Sequence, residues 1–200
     1  MTEVSPLSKA PNPQLLPGRC SDSNMAVKCS RDRLDDGEIR RLCGALAVIE
    51  RIQNINLRRL YEGRKIELEN KNDPSVGARE KILYHGTSKD SCSSIMKTNF
   101  NRNFSGQNAT VYGHGTYFAV NASYSAQTMY AVPAADGTQL MFVARVLTGH
   151  YAQGQADMRT PPVRVAPDLY DSVVDDEVNP SMFVVFHDCQ AYPEYLITFK

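Results

Sequence analysis

Two short stretches constrain this sequence most: Ile82–Thr87, which reads Ile-Leu-Tyr-His-Gly-Thr, and Tyr112–Val120, which reads Tyr-Gly-His-Gly-Thr-Tyr-Phe-Ala-Val. In the first, an apolar run typical of a strand ends at His85 and Gly86. Because glycine has no Cβ, a flat ligand can approach the backbone closely there. In the second, two glycines permit a tight turn, and the β-branched and aromatic residues that follow predict a strand carrying Tyr117.

Neither stretch establishes a functional site alone. A histidine at the end of a strand is more often a structural residue than a catalytic one. The sequence Gly-His-Gly-Thr-Tyr-Phe also lacks the third glycine of the dinucleotide-binding fingerprint and leads into a strand instead of a helix. The two stretches therefore indicate a functional site only in combination with the motifs around them.

In combination, the motifs resemble the NAD-binding signature of the poly(ADP-ribose) polymerase family. The order and spacing are similar to those of its mono-ADP-ribosylating branch, large proteins that also carry macro domains or RNA-recognition modules. The resemblance covers roughly residues 42 to 199. The matching motifs are His85-Gly86-Thr87, Phe100-Asn101-Arg102, Gly113-x-Gly115-x-Tyr117-Phe118-Ala119, Tyr124-Ser125-Ala126, Tyr130, Arg145–Gly149, Tyr170–Val173, Phe183–Phe186 and Gln190–Phe199.

The resemblance implies an α+β domain of the diphtheria-toxin-like ADP-ribosyltransferase fold, with two packed, mostly antiparallel β-sheets and peripheral helices. It also implies NAD as the donor substrate, protein acceptors as partners and no metal. The NAD-binding residues that it indicates are His85, Gly86, Thr87, Arg102, Tyr117, Tyr124, Ser125 and Tyr130. Arg102 is a candidate for the adenosine or pyrophosphate side of NAD, and a plain exposed loop arginine is the alternative.

These residue types suit NAD chemistry. Cleavage between nicotinamide and ribose passes through an oxocarbenium-like sugar, so the ribose must be held rigidly with its anomeric carbon open to a nucleophile. His85 can hydrogen-bond a ribose hydroxyl, the backbone of Gly86 and the hydroxyl of Ser125 can bind the carboxamide, and the resemblance makes Tyr117 and Tyr130 the rings that stack on nicotinamide.

The informative departure is the third position of the family's catalytic set, which here consists of His85, Tyr117 and Met182. The chain-forming members of the family carry a glutamate at that position. Glu194 also precedes a Tyr-Leu-Ile run, but it belongs to the following strand, and we reject it as the base. His114 replaces a lysine of many relatives. We therefore predict a protein mono-ADP-ribosyltransferase that favours acidic acceptors, and the alternative is an inactive NAD- or ADP-ribose-binding module.

Composition agrees with one domain and a tail. In the 200 residues, 22 basic and 22 acidic side chains cancel, so charge indicates neither a nucleic acid nor a membrane surface as a partner. Five cysteines without Cys-x-x-Cys spacing favour reduced, intracellular thiols. The proline-rich residues 1–36 predict a disordered leader or linker without a signal peptide, and residues 37–200 predict the catalytic domain. We expect a cytoplasmic or nuclear location.

The periodicity of the sequence predicts the main elements. Helices are expected from an Asn54 or Asn56 cap to Asn70 and over Ser91–Lys97 and Asn121–Tyr130. Strands are expected over Leu42–Ile52, Gln139–Leu147, Met182–Phe186 and Tyr195–Phe199, and a polar loop over Asn99–Gln107. An acidic segment with Asp171, Asp175, Asp176 and Glu177 is interpreted as a solvated loop, with an acceptor site as the alternative.

Overall fold

A computed structural model of the chain describes residues 27–30, 48–102 and 110–200. In chain order the elements are β1 (Val27–Ser30), β2 (Val48–Gln53), α1 (Ile55–Lys71), β3 (Glu80–Thr87), α2 (Lys89–Thr98), β4 (Thr116–Ala119), α3 (Ala122–Ser125), β5 (Gln139–Leu147), β6 (Tyr151–Gln153), β7 (Val163–Val165), β8 (Asp168–Leu169), β9 (Ser172–Val174), β10 (Met182–Val185), a 3-10 helix (Asp188–Gln190) and β11 (Ala191–Phe199).

The described strands form one nine-stranded sheet in the order β1-β2-β11-β5-β3-β4-β10-β9-β6, and β7 and β8 form a separate two-stranded sheet. In the large sheet only β6 and β9 pair in parallel among the described strands. β5 lies between β3 and β11, and its apolar sequence is buried over most of its length, as expected for a central strand. The predicted α+β class is confirmed.

The two sheets that we predicted are two halves of this single sheet. β3 and β4 connect the halves through one pair of partners, Tyr84 and Ala119. Leu83 and Phe142 of one half belong to the same buried core cluster as Phe118 and Phe183 of the other half. The halves therefore fold over one another around a shared core, and the sheet opens where β3 and β4 separate.

Helix α1 begins where the sequence predicts. The side chain of Asn54 accepts hydrogen bonds from the backbone N–H groups of Asn56 and Leu57, both at 3.2 Å, so Asn54 is the N-cap. Leu57, Tyr61 and Leu68 are the residues that the helix buries, whereas Leu60 and Ile66 are exposed. Ion pairs Arg58–Glu62 and Arg64–Glu67 fit a solvated outer face.

The helix predicted over Asn121–Tyr130 is limited to the single turn Ala122–Ser125. A continued helix would join the carbonyl of Ala126 to the N–H of Tyr130. Instead, the Gln139 side chain donates to the carbonyls of Ala126 and Ala131, at 3.0 and 2.8 Å, and the N–H of Tyr130 donates to Gln127. A glutamine from β5 thus ends the helix and fixes the turn that carries Tyr130.

Other boundaries differ in smaller ways. The last strand begins at Ala191 and accommodates Pro193 at a register shift, where a missing N–H breaks no ladder bond. The first strand is described from Val48, and residues 42–47 lie outside the described part, as do residues 103–107 of the polar loop. Val27–Ser30 pairs with β2 although it falls within the segment predicted to be a linker.

In the described ranges, no helix has the length and apolar character that crossing a membrane requires.

Candidate active site

A cavity of about 450 Å³ opens where β3 and β4 diverge. The end of β3, strand β4, α3 with the turn after it and the first residue of β10 all contribute to its wall. Every predicted NAD-binding or catalytic residue except Arg102 lines this cavity: His85, Gly86, Thr87, Tyr117, Tyr124, Ser125, Tyr130 and Met182. Residues that are far apart in sequence are therefore brought together as the motifs predict.

His85 is held in one orientation. Its Nδ1 lies 2.8 Å from the carbonyl oxygen of Tyr117, and its ring meets Phe100 edge-on at 5.2 Å between centroids. Because a carbonyl only accepts, Nδ1 carries the proton and the neutral ring keeps Nε2 as an acceptor. Burial lowers the pKa of His85, against the opposing effect of the hydrogen bond to Tyr117, so the ring is neutral at physiological pH. His85 thus offers the cavity a hydrogen-bond acceptor.

Gly86 is required by packing as well as by ligand access. A Cβ at this position would lie 2.1 Å from the carbonyl oxygen of Ser125 and 2.8 Å from the backbone nitrogen of Ala131. β4 pairs with β3 only at Tyr84, so within the described residues no strand covers the β4 side of Gly86 and Thr87. Backbone polar groups along this edge are available to a planar ligand, with the buried hydroxyl of Ser125 beside them.

The three predicted tyrosines of the cavity, Tyr117, Tyr124 and Tyr130, fall into two groups. The hydroxyl of Tyr117 donates to the carbonyl of Gly113 at 2.8 Å and accepts from the N–H of Tyr112 at 3.0 Å, which leaves its ring to serve as a wall. Tyr124 and Tyr130 stack at 5.0 Å with 24° between their planes. Their hydroxyls are hydrogen-bonded at 2.8 Å, which raises the pKa of Tyr124 to about 12. One face of Tyr130 is therefore covered by Tyr124, and its other face remains for a ligand ring.

Met182 begins β10 with its side chain 7% exposed, next to Ala119 of β4. Asp175 fixes this strand start, because one of its carboxylate oxygens accepts from the N–H groups of Ser181 and Met182 at 3.0 and 2.9 Å. The carboxylate of Asp175 thus serves the backbone at the start of β10. The position itself presents a thioether to the cavity.

Glu194 pairs with Arg145 and does not take part in the cavity. It is 5% exposed, and its two carboxylate oxygens accept from Arg145 Nε at 2.5 Å and Nη2 at 3.1 Å. Arg145 also contacts Glu80 at 2.7 Å, and the hydroxyl of Tyr61 donates to Glu80 at 2.7 Å. Glu194 does not line the cavity. This structural ion-pair network agrees with our rejection of Glu194 as the catalytic base.

The substitution Glu194→Gln separates a structural from a catalytic role. A glutamine cannot satisfy the bidentate Arg145 fork, so we expect a loss of roughly 1–3 kcal/mol in the free energy of unfolding. If the predicted transferase activity is measured, the folded variant should transfer within about threefold of the natural chain, whereas loss of a general base costs about 10² to 10⁴ in rate. Thermal unfolding and initial rates well below the melting temperature measure the two effects. Glu62→Gln is the matched control, since its exposed ion pair with Arg58 is worth about 1 kcal/mol or less.

Arg102 does not project into the described cavity. Its guanidinium Nη1 donates to the carbonyl of Phe186, and its backbone N–H lies 3.4 Å from a carboxylate oxygen of Asp188. His114 is also absent from the cavity wall, and its N–H donates to Met158 at 2.7 Å. The structure thus gives neither residue a place on the described part of the cleft.

The acidic segment is not one solvated loop. Asp171 is buried and accepts from Lys71, from the side chain of Asn72 at 2.8 Å and from the N–H of His150 at 2.8 Å. Asp171, which lies between β8 and β9, therefore forms a structural ion pair with Lys71 of α1 and also binds the backbone of the turn after β5. Asp175 is partly buried and caps β10, whereas Asp176 and Glu177 are exposed. Lys71 lies a hundred positions before its partner, and spacing alone gave no sign of that pairing.

The sequence motifs missed a polar wall of the cavity. Helix α2, which we predicted only as a short helix over Ser91–Lys97, lines the cavity together with its N-cap through Ser88, Asp90, Ser91, Ser94 and Ile95. The side chain of Ser88 caps the helix by accepting from the N–H of Ser91 at 3.2 Å. Alternation of small polar residues on a helix that directly follows the His-Gly-Thr motif was the available signal.

Comparison with known proteins places this site in a family. The model of the poly(ADP-ribose) polymerase catalytic domain matches residues 41–164. Since that match spans more than half of the chain, the chain belongs to this family.

Three relatives of this chain are all named protein mono-ADP-ribosyltransferases. Protein mono-ADP-ribosyltransferase PARP14 of Homo sapiens is 46% identical over 155 residues, which make up 76% of this chain and 8% of that protein. Protein mono-ADP-ribosyltransferase PARP10 of Mus musculus is 49% identical over 123 residues, or 60% of this chain and 13% of that protein. Protein mono-ADP-ribosyltransferase PARP12 of Mus musculus is 37% identical over 154 residues, or 76% and 21%. The chain thus spans a small part of these relatives.

Proposed function

We propose that this chain transfers one ADP-ribose unit from NAD to a side chain of an acceptor protein and releases nicotinamide. The observation that carries the proposal is the cavity in which His85, Gly86, Ser125 and the tyrosines meet. The names of the relatives, all protein mono-ADP-ribosyltransferases, support it.

The cavity offers contacts that suit the nicotinamide half of NAD. The free edge at Gly86 and the hydroxyl of Ser125 match the donor and acceptor atoms of a carboxamide. The nicotinamide ring fits between Tyr117 and the open face of Tyr130, and a cationic ring between electron-rich faces gains about 1–2 kcal/mol when desolvated. Nε2 of His85 accepts a hydrogen bond from a ribose hydroxyl and thereby fixes the sugar next to the leaving group.

The transfer step balances without an added reagent. The bond between the anomeric carbon and the pyridinium nitrogen breaks, and its electron pair stays with nicotinamide, which leaves neutral. An ionised aspartate or glutamate of the acceptor then donates an oxygen lone pair to the anomeric carbon and forms an ester. Because a carboxylate has no proton to lose, the step needs no general base. Acidic acceptors therefore suit a site in which Met182 replaces a base.

The second function is binding without catalysis, and the thioether of Met182 in the cavity wall favours it. Incubation with NAD labelled in its adenylate part distinguishes the two functions. We expect label to become covalently attached to protein, sensitive to neutral hydroxylamine because the bond is an ester. Saturable NAD binding with no covalent label would instead establish a binding module.

Flat carboxamides should bind the nicotinamide part of the cavity and stabilise the fold. A ligand that binds only the native state at about 100 times its Kd adds about 2.7 kcal/mol, which raises Tm by roughly 5–10 °C for a chain of this size. Thermal unfolding with 3-aminobenzamide measures the shift. 3-Aminobenzoate is the control, since it lacks the amide N–H donors and repels backbone carbonyls. Equal shifts for both compounds, or none for either, would contradict the assigned carboxamide contacts.

A further inference from the structure

Two residues of the proposed nicotinamide site lie at the ends of one short turn. Ser125 and Tyr130 both line the cavity. Ala126 and Ala131 follow them directly in sequence, and the side chain of Gln139 donates to the carbonyls of both, at 3.0 and 2.8 Å. Gln139 itself is not part of the described cavity wall. A side chain outside the cavity therefore sets the spacing between two positions that face the ligand.

The amide nitrogen of Gln139 uses its full donor capacity in this bridge. A primary amide nitrogen carries two N–H groups, and each of them serves one backbone carbonyl here. Because a carbonyl only accepts, the partners require the nitrogen of the amide at this place and not its oxygen. Ala131 is buried, so water cannot readily replace a lost hydrogen bond to its carbonyl. The bridge therefore depends on the two donors of this one side chain.

The backbone of Gln139 is held by the sheet. Gln139 is the first residue of β5 and is paired with Phe199 of β11. The next residue, Leu140, is paired with Thr87 of β3 on one side and with Thr198 of β11 on the other. The side chain of Gln139 therefore ties the turn to the central strand of the sheet.

We propose that Gln139 is a positioning residue for nicotinamide, which acts by holding Ser125 and Tyr130 at a fixed separation. This inference rests on the proposed function, because it takes nicotinamide as the ligand of these two residues. In the natural chain the turn has its binding geometry before the ligand arrives, so the ligand does not have to order it. Without the two hydrogen bonds the turn has alternative conformations, and only the molecules in the competent conformation bind the ligand.

Isothermal titration calorimetry with two probes tests the proposal without requiring transfer. 3-Aminobenzamide reports on the nicotinamide part of the cavity, and ADP-ribose, which lacks nicotinamide, reports on the rest. Gln139→Met keeps the length of the side chain and removes both donors. We expect this variant to raise the Kd of 3-aminobenzamide about tenfold and to leave the Kd of ADP-ribose within about twofold. Circular dichroism at the titration temperature shows whether the variant is folded.

Two further variants separate positioning from stability. Gln139→Lys restores donors, because an ammonium group carries three N–H groups on a flexible stem, and it should return the Kd of 3-aminobenzamide to within about threefold of the natural value. Gln190→Met is the matched control. The side chain of Gln190 also donates to two carbonyls, those of Leu147 and Asp171 at 2.7 and 2.6 Å, but it lies outside the cavity wall. This control should lower Tm and leave the Kd of both probes within about twofold.

An unchanged Kd of 3-aminobenzamide in Gln139→Met would overturn the proposal. So would an equal loss of affinity for ADP-ribose or an equal loss in Gln190→Met, because both results indicate general destabilisation. A loss that Gln139→Lys does not repair would assign the effect to side-chain shape and refute the role of the donors.

Failure of the proposed function gives a different result. If the natural chain binds 3-aminobenzamide but labels no protein, the transfer proposal fails while the titrations still decide the role of Gln139. If transfer occurs and the affinity does not respond to Gln139→Met, only the role of Gln139 is wrong.

Discussion

His85→Ala should reduce ADP-ribose transfer by at least about 100-fold while the chain remains folded. The variant removes the acceptor nitrogen that is held toward the cavity by the 2.8 Å contact between Nδ1 and the carbonyl of Tyr117. Without it the ribose is no longer fixed beside the leaving group, and loss of one well-oriented polar contact at a reacting centre costs about 2.7–4 kcal/mol of transition-state stabilisation. Initial rates with labelled NAD measure the effect.

The fold should tolerate this change. His85 lies two residues before the end of β3 and is partly exposed, so its replacement loses one hydrogen bond and ring contacts with Phe100 and Phe118. We expect a decrease of about 1–2 kcal/mol in the free energy of unfolding, within the usual range of point mutations. His150→Ala is the control, since His150 pairs with Asp73 away from the cavity and should leave transfer intact. Normal transfer by His85→Ala, or an early loss of the fold, would show that the site is assigned wrongly.

Local patterns predicted most of what surrounds the site. Apolar runs identified β5 and β10, and an asparagine cap identified the start of α1. These features depend on near neighbours in sequence, so local patterns were sufficient to predict them. The prediction that His85, Tyr117 and Met182 belong to one site came from the resemblance to the family, and these residues line one cavity. Gly86 is the clearest case, because the absence of a side chain allows α3 and the following turn to pack against β3.

What the sequence did not predict depends on distant partners. Gln139, which ends α3, lies on strand β5. Lys71 forms an ion pair with Asp171, a buried residue that we had predicted to lie in a solvated loop. Arg102 contacts the carbonyl of Phe186, more than eighty positions away, instead of facing the cleft. In each case the hydrogen-bonding partner is distant in sequence. The periodicity of a sequence carries no information about such pairs.

The second large effect concerns the product, which should be one ADP-ribose unit per site. Elongation requires a ribose hydroxyl to attack, and an alcohol is a poor nucleophile unless a positioned base removes its proton. Met182 stands where that base is expected and lines the cavity with a thioether. Since general-base assistance is worth about 10² to 10⁴ in rate, chain growth should be slower than the first transfer by about that factor.

A denaturing gel separates the two outcomes. The modified protein should run as a discrete band, and digestion of the adduct should release no ribose-linked oligomer. A high-molecular-weight smear that a chain-cleaving glycohydrolase collapses would refute the prediction. Such a result would also reopen the role of Glu194, although its two bonds to Arg145 hold it outside the cavity.

Met182→Glu should not restore chain growth. The side chain at this position is 7% exposed, and burial of an unpaired carboxyl raises its pKa. The carboxylate of Asp175, which accepts from the N–H of Met182 at 2.9 Å, adds like-charge repulsion and raises that pKa further. Both effects raise the pKa of the new glutamate and thereby reduce the fraction of it that can act as a base at neutral pH. We expect Met182→Glu and the neutral control Met182→Gln to give the same single-unit product on the gel, and a smear from the glutamate variant alone would show that the carboxyl group was the one missing part.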